Sequence, residues 1–151
     1  MTTTTTETTD TMKTKGKLEM IVTLQKQLMD RMNVPCLDLE TLAKSKSMAR
    51  EEQLSDMYHW IQEMGIAIIH EAAEIRDWTP WKHWSKQLGN KDTKIVVGSE
   101  AHLKEIHLEV IDLLHFVIEL ALVTGLDAES IFKMYAAKHT INNDRQDQGD
   151  Y

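Results

Sequence analysis

The stretch EEQLSDMYHWIQEMGIAIIHEAAEIRD, residues 51–77, decides the fold, because it runs without a proline and its apolar residues recur at helical spacing. Leu54, Met57, Trp60, Ile61, Met64, Ile68, Ala72 and Ile75 fall on one stripe of a helix with about 3.6 residues per turn. One long amphipathic helix is expected here. Ile66, Ile69 and Ala73 make the same helix apolar on a second face, more than a small bundle covers by itself. The expectation is therefore a homodimer, with the bundle completed by a second copy.

Outward toward the N-terminus, Leu18, Ile21, Leu24 and Leu28 repeat at three- and four-residue steps as far as about Asn33, and Pro35 closes this first helix. Toward the C-terminus, Thr79-Pro80 has the form of a helix start, with threonine as N-cap and proline at the first position of a short segment carrying Trp81 and Trp84. Leu88 to Gly98 forms the main loop. Ser99 caps a fourth helix that ends before Gly125, and Asp127 caps a fifth that runs to about Asn142. IVV at 95–97 is too short and too close to a glycine to count as a strand. The class is all-α, a bundle of about five helices without internal repeats. Residues 1–16 read as a threonine-rich disordered tail, and residues 17–151 as one domain.

The 42% hydrophobic and 27% charged residues are ordinary for a soluble globular chain, and a formal net charge of -7 argues against a surface that neutralises a polynucleotide backbone. No nucleic-acid partner is expected. The most apolar run, LEVIDLLHFVIELALVTG, carries Glu109, Asp112, His115 and Glu119 and is too polar for an ordinary membrane span. No membrane partner is expected either. Cys36 is the single cysteine, so no intrachain disulfide forms, and a reducing cytoplasm is the default compartment. The opening MTTTTTETTD has no apolar segment of the signal-peptide kind.

Two acidic pairs carry the chemistry. Glu71 and Glu74 stand three residues apart in HEAAE, and Glu109 and Asp112 have the same spacing in EVID on a later helix, so each pair shares a helix face. With Met57 at zero and about 100° per residue, the apolar stripe spans roughly 300° to 60°, and Glu71 falls at about 320°. A carboxylate on the core side needs a partner, since an unpaired buried charge costs several kcal/mol. On the fourth helix Glu105, Glu109, Asp112 and Phe116 lie within about 60°, beside an apolar stripe of Leu103, Ile106, Val110, Leu114 and Val117. Four carboxylates meeting between helices repel unless a cation joins them, and an all-oxygen set selects Mg²⁺, or Mn²⁺, over softer metals. Solvated surface acids are one alternative. A structural network with nearby cations is another, although the long helix offers only Arg76 within one turn of both acids.

The combination of ExxE on one helix with ExxD on a later one resembles the signature of the all-α nucleoside triphosphate pyrophosphohydrolases, the MazG-like superfamily. Within it, EAAEIRDWTPWKHW (71–84), EVIDLLHF (109–116) and YAAKHTINNDRQDQG (135–149) resemble the corresponding segments of the dimeric dUTP pyrophosphatases. The resemblance covers most of Leu24 to Gly149.

It implies hydrolysis of dUTP, and of dUDP, to dUMP by a metal-activated water. Glu71, Glu74, Glu109 and Asp112 would hold Mg²⁺, with Glu71 also polarising the water. Lys138 and Arg145 would contact the phosphates, with Lys82 and Lys86 as further candidates. Asn142 would contact the nucleoside and Phe116 would pack against it. Gln25, in LQKQL, matches the family's base-contacting glutamine, and Trp81, Trp84 and His115 are the other candidates around the base. Trp81 and Trp84 could equally pack in a core or dimer contact, and His115 could cap a polar seam. The chain departs from larger members in linking the second metal helix directly to the third motif through Gly125 and Asp127. It also reads Gly149-Asp150-Tyr151 where the motif usually has tyrosine straight after glycine. Met29 stands where relatives place a polar base contact. A related enzyme acting on dCTP, and a non-catalytic helical interaction module, are the rival expectations.

Overall fold

The computed structural model describes residues 16–82, 84 and 95–149; the expected tail ahead of Gly16, Lys86, residues 88–94 of the main loop, and Tyr151 lie outside them. Among the described residues the chain forms five helices and no strand: α1 (Lys17–Met32), α2 (Leu39–Lys44), α3 (Ser47–Asp77), α4 (Glu100–Val123) and α5 (Ala128–Gln148). The fold is all-α, as expected. The two long helices α3 and α4 make the most extensive contact, α1 packs on α4, and α5 packs on α1.

The helix ends follow the local chemistry. α1 stops at Asn33, which takes the left-handed conformation at φ 57° two residues before Pro35. The Ser99 hydroxyl accepts from the His102 N–H at 3.2 Å, and the Asp127 carboxylate accepts from the Ser130 N–H at 2.8 Å, so both expected caps are present. α5 continues past Asn142 to Gln148, because nothing interrupts it before Gly149, which sits at φ 73°.

Two elements differ from expectation. α2 was not foreseen; Asp38 starts it by accepting from the Glu40 and Thr41 N–H groups at 3.0 and 3.1 Å. It buries no residue, so it leaves no apolar period to read. Thr79-Pro80, in contrast, starts no helix. The Thr79 hydroxyl donates backward to the Arg76 carbonyl at 2.7 Å and so closes α3, and Trp81 and Trp84 follow outside any helix.

The core joins Val22 and Met29 of α1, Val34 of the following turn, and Ile118, Leu122 and Val123 of α4, with Met57, Trp60 and Ile61 of α3 packed against it. Met29 is fully buried here. Gly125 is needed at the turn after α4. It has φ +84°, and a Cβ there would lie 2.9 Å from the Leu37 carbonyl oxygen and 3.0 Å from Leu39 Cγ.

The α3 stripe faces this core through Met57, Trp60 and Ile61, but most of the stripes that periodicity picks out on α1 and α4 do not. Ile21, Leu24 and Leu28 on α1, and Leu103, Val110, Leu114 and Val117 on α4, are each about two-fifths to half exposed. Ile66 and Ile69 on α3 are more exposed still. A single chain therefore leaves several apolar helix faces in contact with water.

Candidate functional site

α3 and α4 lie side by side, and the acids of both motifs meet on their seam. Oxygens of Glu71, Glu109 and Asp112 come within 4.8 Å of one another. Glu71 and Glu109 are half-buried and Asp112 is exposed, so the cluster opens to solvent on the α4 side. Glu74 is exposed and stands outside this tight group, but its charge acts on Glu71. Burial, followed by the charges of Glu74, Asp112 and Glu109, holds the Glu71 carboxyl above the ordinary glutamate range, while His70 acts weakly in the other direction. Arg76, the cation nearest in sequence, has its guanidinium 4.3 Å from the centre of the Trp81 ring.

Trp78 orients the cluster, and the reading of the motifs missed it. It is 4% exposed, its indole Nε1–H donates to Glu109 Oε1 at 3.0 Å, and its backbone carbonyl accepts from His102 Nε2 at 2.7 Å. His102 Nδ1 in turn accepts from the Gly98 N–H at 3.1 Å, which puts the ring proton on Nε2. The signal was available: Trp78 lies four and seven residues after Glu74 and Glu71, on the same side of a continuing helix.

Between α1 and α4 a cavity of about 230 Å³ is lined by Ile21, Leu24, Ile111, Leu114 and Ile118, with Gln25 and His115 as its polar members. His115 follows Asp112 by three residues, about 4.5 Å along the helix axis. Gln25 is 2% exposed and bonds both His115 and Glu119. Phe116 is half-buried on the helix face that carries Glu109 and Asp112.

The remaining candidates are scattered. The Trp81 Nε1–H donates to Asp77 Oδ1 at 3.1 Å, its ring meets Trp84 edge-on, and Lys82 Nζ stands 4.9 Å from its centre. Trp84 is largely exposed. Lys138, Asn142 and Arg145 share one face of α5, with Asn142 half-buried and both cations exposed; this helix packs on α1, whereas the acids lie between α3 and α4.

The perturbed carboxyls set a pH dependence. Burial also raises Glu119, while hydrogen bonds to backbone and side chain lower the helix-capping Asp38 and Asp127. A group raised in the folded state binds its proton before the unfolded chain does, so its effect is to increase stability as pH falls toward the ordinary carboxylate range. The two lowered aspartates contribute stability above that range and lose it only below. For metal-stripped protein, the denaturant midpoint is expected to rise as pH falls from neutral toward the ordinary carboxylate range and to fall again below it. A steady fall across the first interval would contradict the raised carboxyls.

Comparison with known proteins agrees with this geometry. The model of the dUTPase family matches residues 17–126, a span containing both acidic motifs and Gln25. The chain is 36% identical over 70 residues to a dCTP pyrophosphatase of Enterobacteria phage T4, covering 46% of this chain and 41% of the phage protein. It is 39% identical over 72 residues to a dCTP pyrophosphatase of Enterobacteria phage LZ5, covering 48% of this chain and again 41% of the relative. The match thus spans less than half the length of these curated relatives. No solved structure matches the chain. From the α3–α4 acidic seam and the extent of the family match together, this chain belongs to the all-α dUTPase family.

Proposed function

We propose that the chain is a Mg²⁺-dependent nucleotide pyrophosphohydrolase that cleaves dUTP, and dUDP, to dUMP. The observation that carries this reading is the convergence of Glu71, Glu109 and Asp112 within 4.8 Å across two helices, with Glu71 raised by its neighbours. Carboxylates this close favour a hard divalent ion, Mg²⁺ or Mn²⁺, held by these three with Glu74 beside them. The bound ion would neutralise phosphate oxygens and make water a better nucleophile. Glu71 takes the proton of the attacking water. Trp78 keeps Glu109 aimed into the seam.

The family resemblance assigns the phosphate chain to Lys138, Arg145 and Lys82, although α5, which carries the first two, packs on α1 rather than on the seam. Gln25 and His115 read the base from the cavity between α1 and α4, Phe116 packs against the nucleoside, and Asn142, Trp81 and Trp84 are assigned to the remaining contacts by the family resemblance. The exposed Ile66 and Ile69 on the second face of α3 support a homodimer. A monomer by light scattering at micromolar concentration would remove that part. Among the described residues no helix is long and apolar enough to cross a membrane. A free nucleotide as substrate favours the cytoplasm as the place of action.

The second reading, dCTP as substrate, is favoured by the names of the two phage relatives. A turnover panel of the common nucleotides with Mg²⁺ decides between them: preference for dUTP supports the proposal, and a clear preference for dCTP or a ribonucleotide overturns its choice of base.

A further inference from the structure

Glu119 lies inside the apolar run FVIELALV (116–123) and is 2% exposed. Its Oε2 accepts from Gln25 Nε2 at 3.0 Å, and the other end of that amide, Oε1, lies 2.6 Å from His115 Nδ1. The amide thus turns its NH₂ to Glu119 and its carbonyl to His115, so the Glu119 oxygen acts as the acceptor that fixes which way Gln25 faces. Among the described residues no buried side-chain nitrogen or oxygen lacks a partner, so both ends of this amide are satisfied as they stand.

The direction of that amide matters because Gln25 and His115 are the polar groups of an otherwise apolar cavity. Uracil offers an N–H donor at ring position 3 and a carbonyl acceptor at position 4. Cytosine offers an acceptor nitrogen at position 3 and an amino donor at position 4. The two edges have reversed polarity, and turning a glutamine amide end for end reverses polarity in the same way.

We propose that Glu119 is a specificity-determining positioning residue, which holds Gln25 in one orientation through a buried hydrogen bond and thereby selects which pyrimidine edge the cavity accepts. Glu119 does not touch the base; it acts through Gln25. The inference rests on the nucleotide-hydrolase reading of the neighbouring acidic seam. It accounts for a buried acid within an apolar helix face, where a leucine would pack without loss of solvation.

The test is Glu119→Gln. The replacement keeps the shape, but its amide can accept or donate, so Gln25 is satisfied in either orientation. kcat/KM for dUTP and for dCTP is measured with Mg²⁺ in the wild type and the variant. The ratio of favoured to disfavoured pyrimidine is expected to fall by about tenfold or more, partly through a gain on the disfavoured base, with the Mg²⁺ dependence unchanged. Glu119→Asp, too short to reach the amide, is expected to lower the ratio in the same sense and serves if the first variant does not fold. An unchanged ratio in a folded variant, or a wild type with no preference between the two bases, overturns the proposal and leaves the hydrolase reading standing. A wild type that cleaves neither nucleotide overturns the hydrolase reading itself, and the proposal with it.

Discussion

Replacing Glu71 by glutamine is expected to lower pyrophosphate release from dUTP by about 10²–10⁴-fold, the range for loss of a general base, and to move stability in two directions at once. Glu71 is raised by burial and by three neighbouring carboxylates, so neutralising it relieves repulsion in metal-free protein. The metal-free variant is expected to melt above the metal-free wild type. Added Mg²⁺ is then expected to raise the melting temperature of the wild type well beyond that of the variant, because an ion stabilises the fold in proportion to its affinity for it. A solvated surface acid would change neither quantity. A purely structural acidic cluster would reproduce the metal-free gain but leave nucleotide turnover and pyrophosphate release as they were, as expected of a non-catalytic helical module.

Trp78→Phe is the second large effect. Phenylalanine keeps most of the buried apolar volume but removes the Nε1–H that donates to Glu109 Oε1 at 3.0 Å. Groups that orient a metal ligand typically carry about 10–100-fold in metal affinity or activity. The Mg²⁺ concentration for half-maximal rate is expected to rise by that order, with the rate partly recovered at saturating Mg²⁺. Because Trp78 is also 4% exposed and bonded to His102 through its backbone, a packing role alone is conceivable for the ring. That role would lower the melting temperature and leave the Mg²⁺ dependence where it was. Both readouts on one variant separate the two roles.

The parts of this fold that were legible in the sequence are those set by short-range chemistry. Asn33 and Pro35 end α1, Ser99 and Asp127 cap α4 and α5, and the long apolar period of α3 names a helix without ambiguity. α2 escaped because six residues that bury nothing have no period. Thr79-Pro80 misled because a threonine hydroxyl can close the helix before it as readily as it caps the one after it.

Periodicity identifies faces but not what they meet. Ile21, Leu24 and Leu28, and Leu103, Val110, Leu114 and Val117, form clear stripes, yet the core of the chain is built from the flanking Val22, Met29, Ile118 and Leu122. The same limit governs the site. The three-residue spacings brought Glu71, Glu109 and Asp112 into view, and the structure brings them together. Glu119 could not be singled out, since its meaning depends on Gln25, 94 residues away. Lys138 and Arg145 were marked by motif alone, and they stand on a helix that packs against α1 rather than on the acidic seam.

The most direct measurement is pyrophosphate release from dUTP by the purified chain with Mg²⁺ and again with the ion chelated. Rapid release that stops on chelation and returns when Mg²⁺ or Mn²⁺ is restored is the predicted result. Release that persists without the ion, or no release from dUTP or dCTP in its presence, would contradict a metal-dependent pyrophosphohydrolase built on the α3–α4 carboxylates.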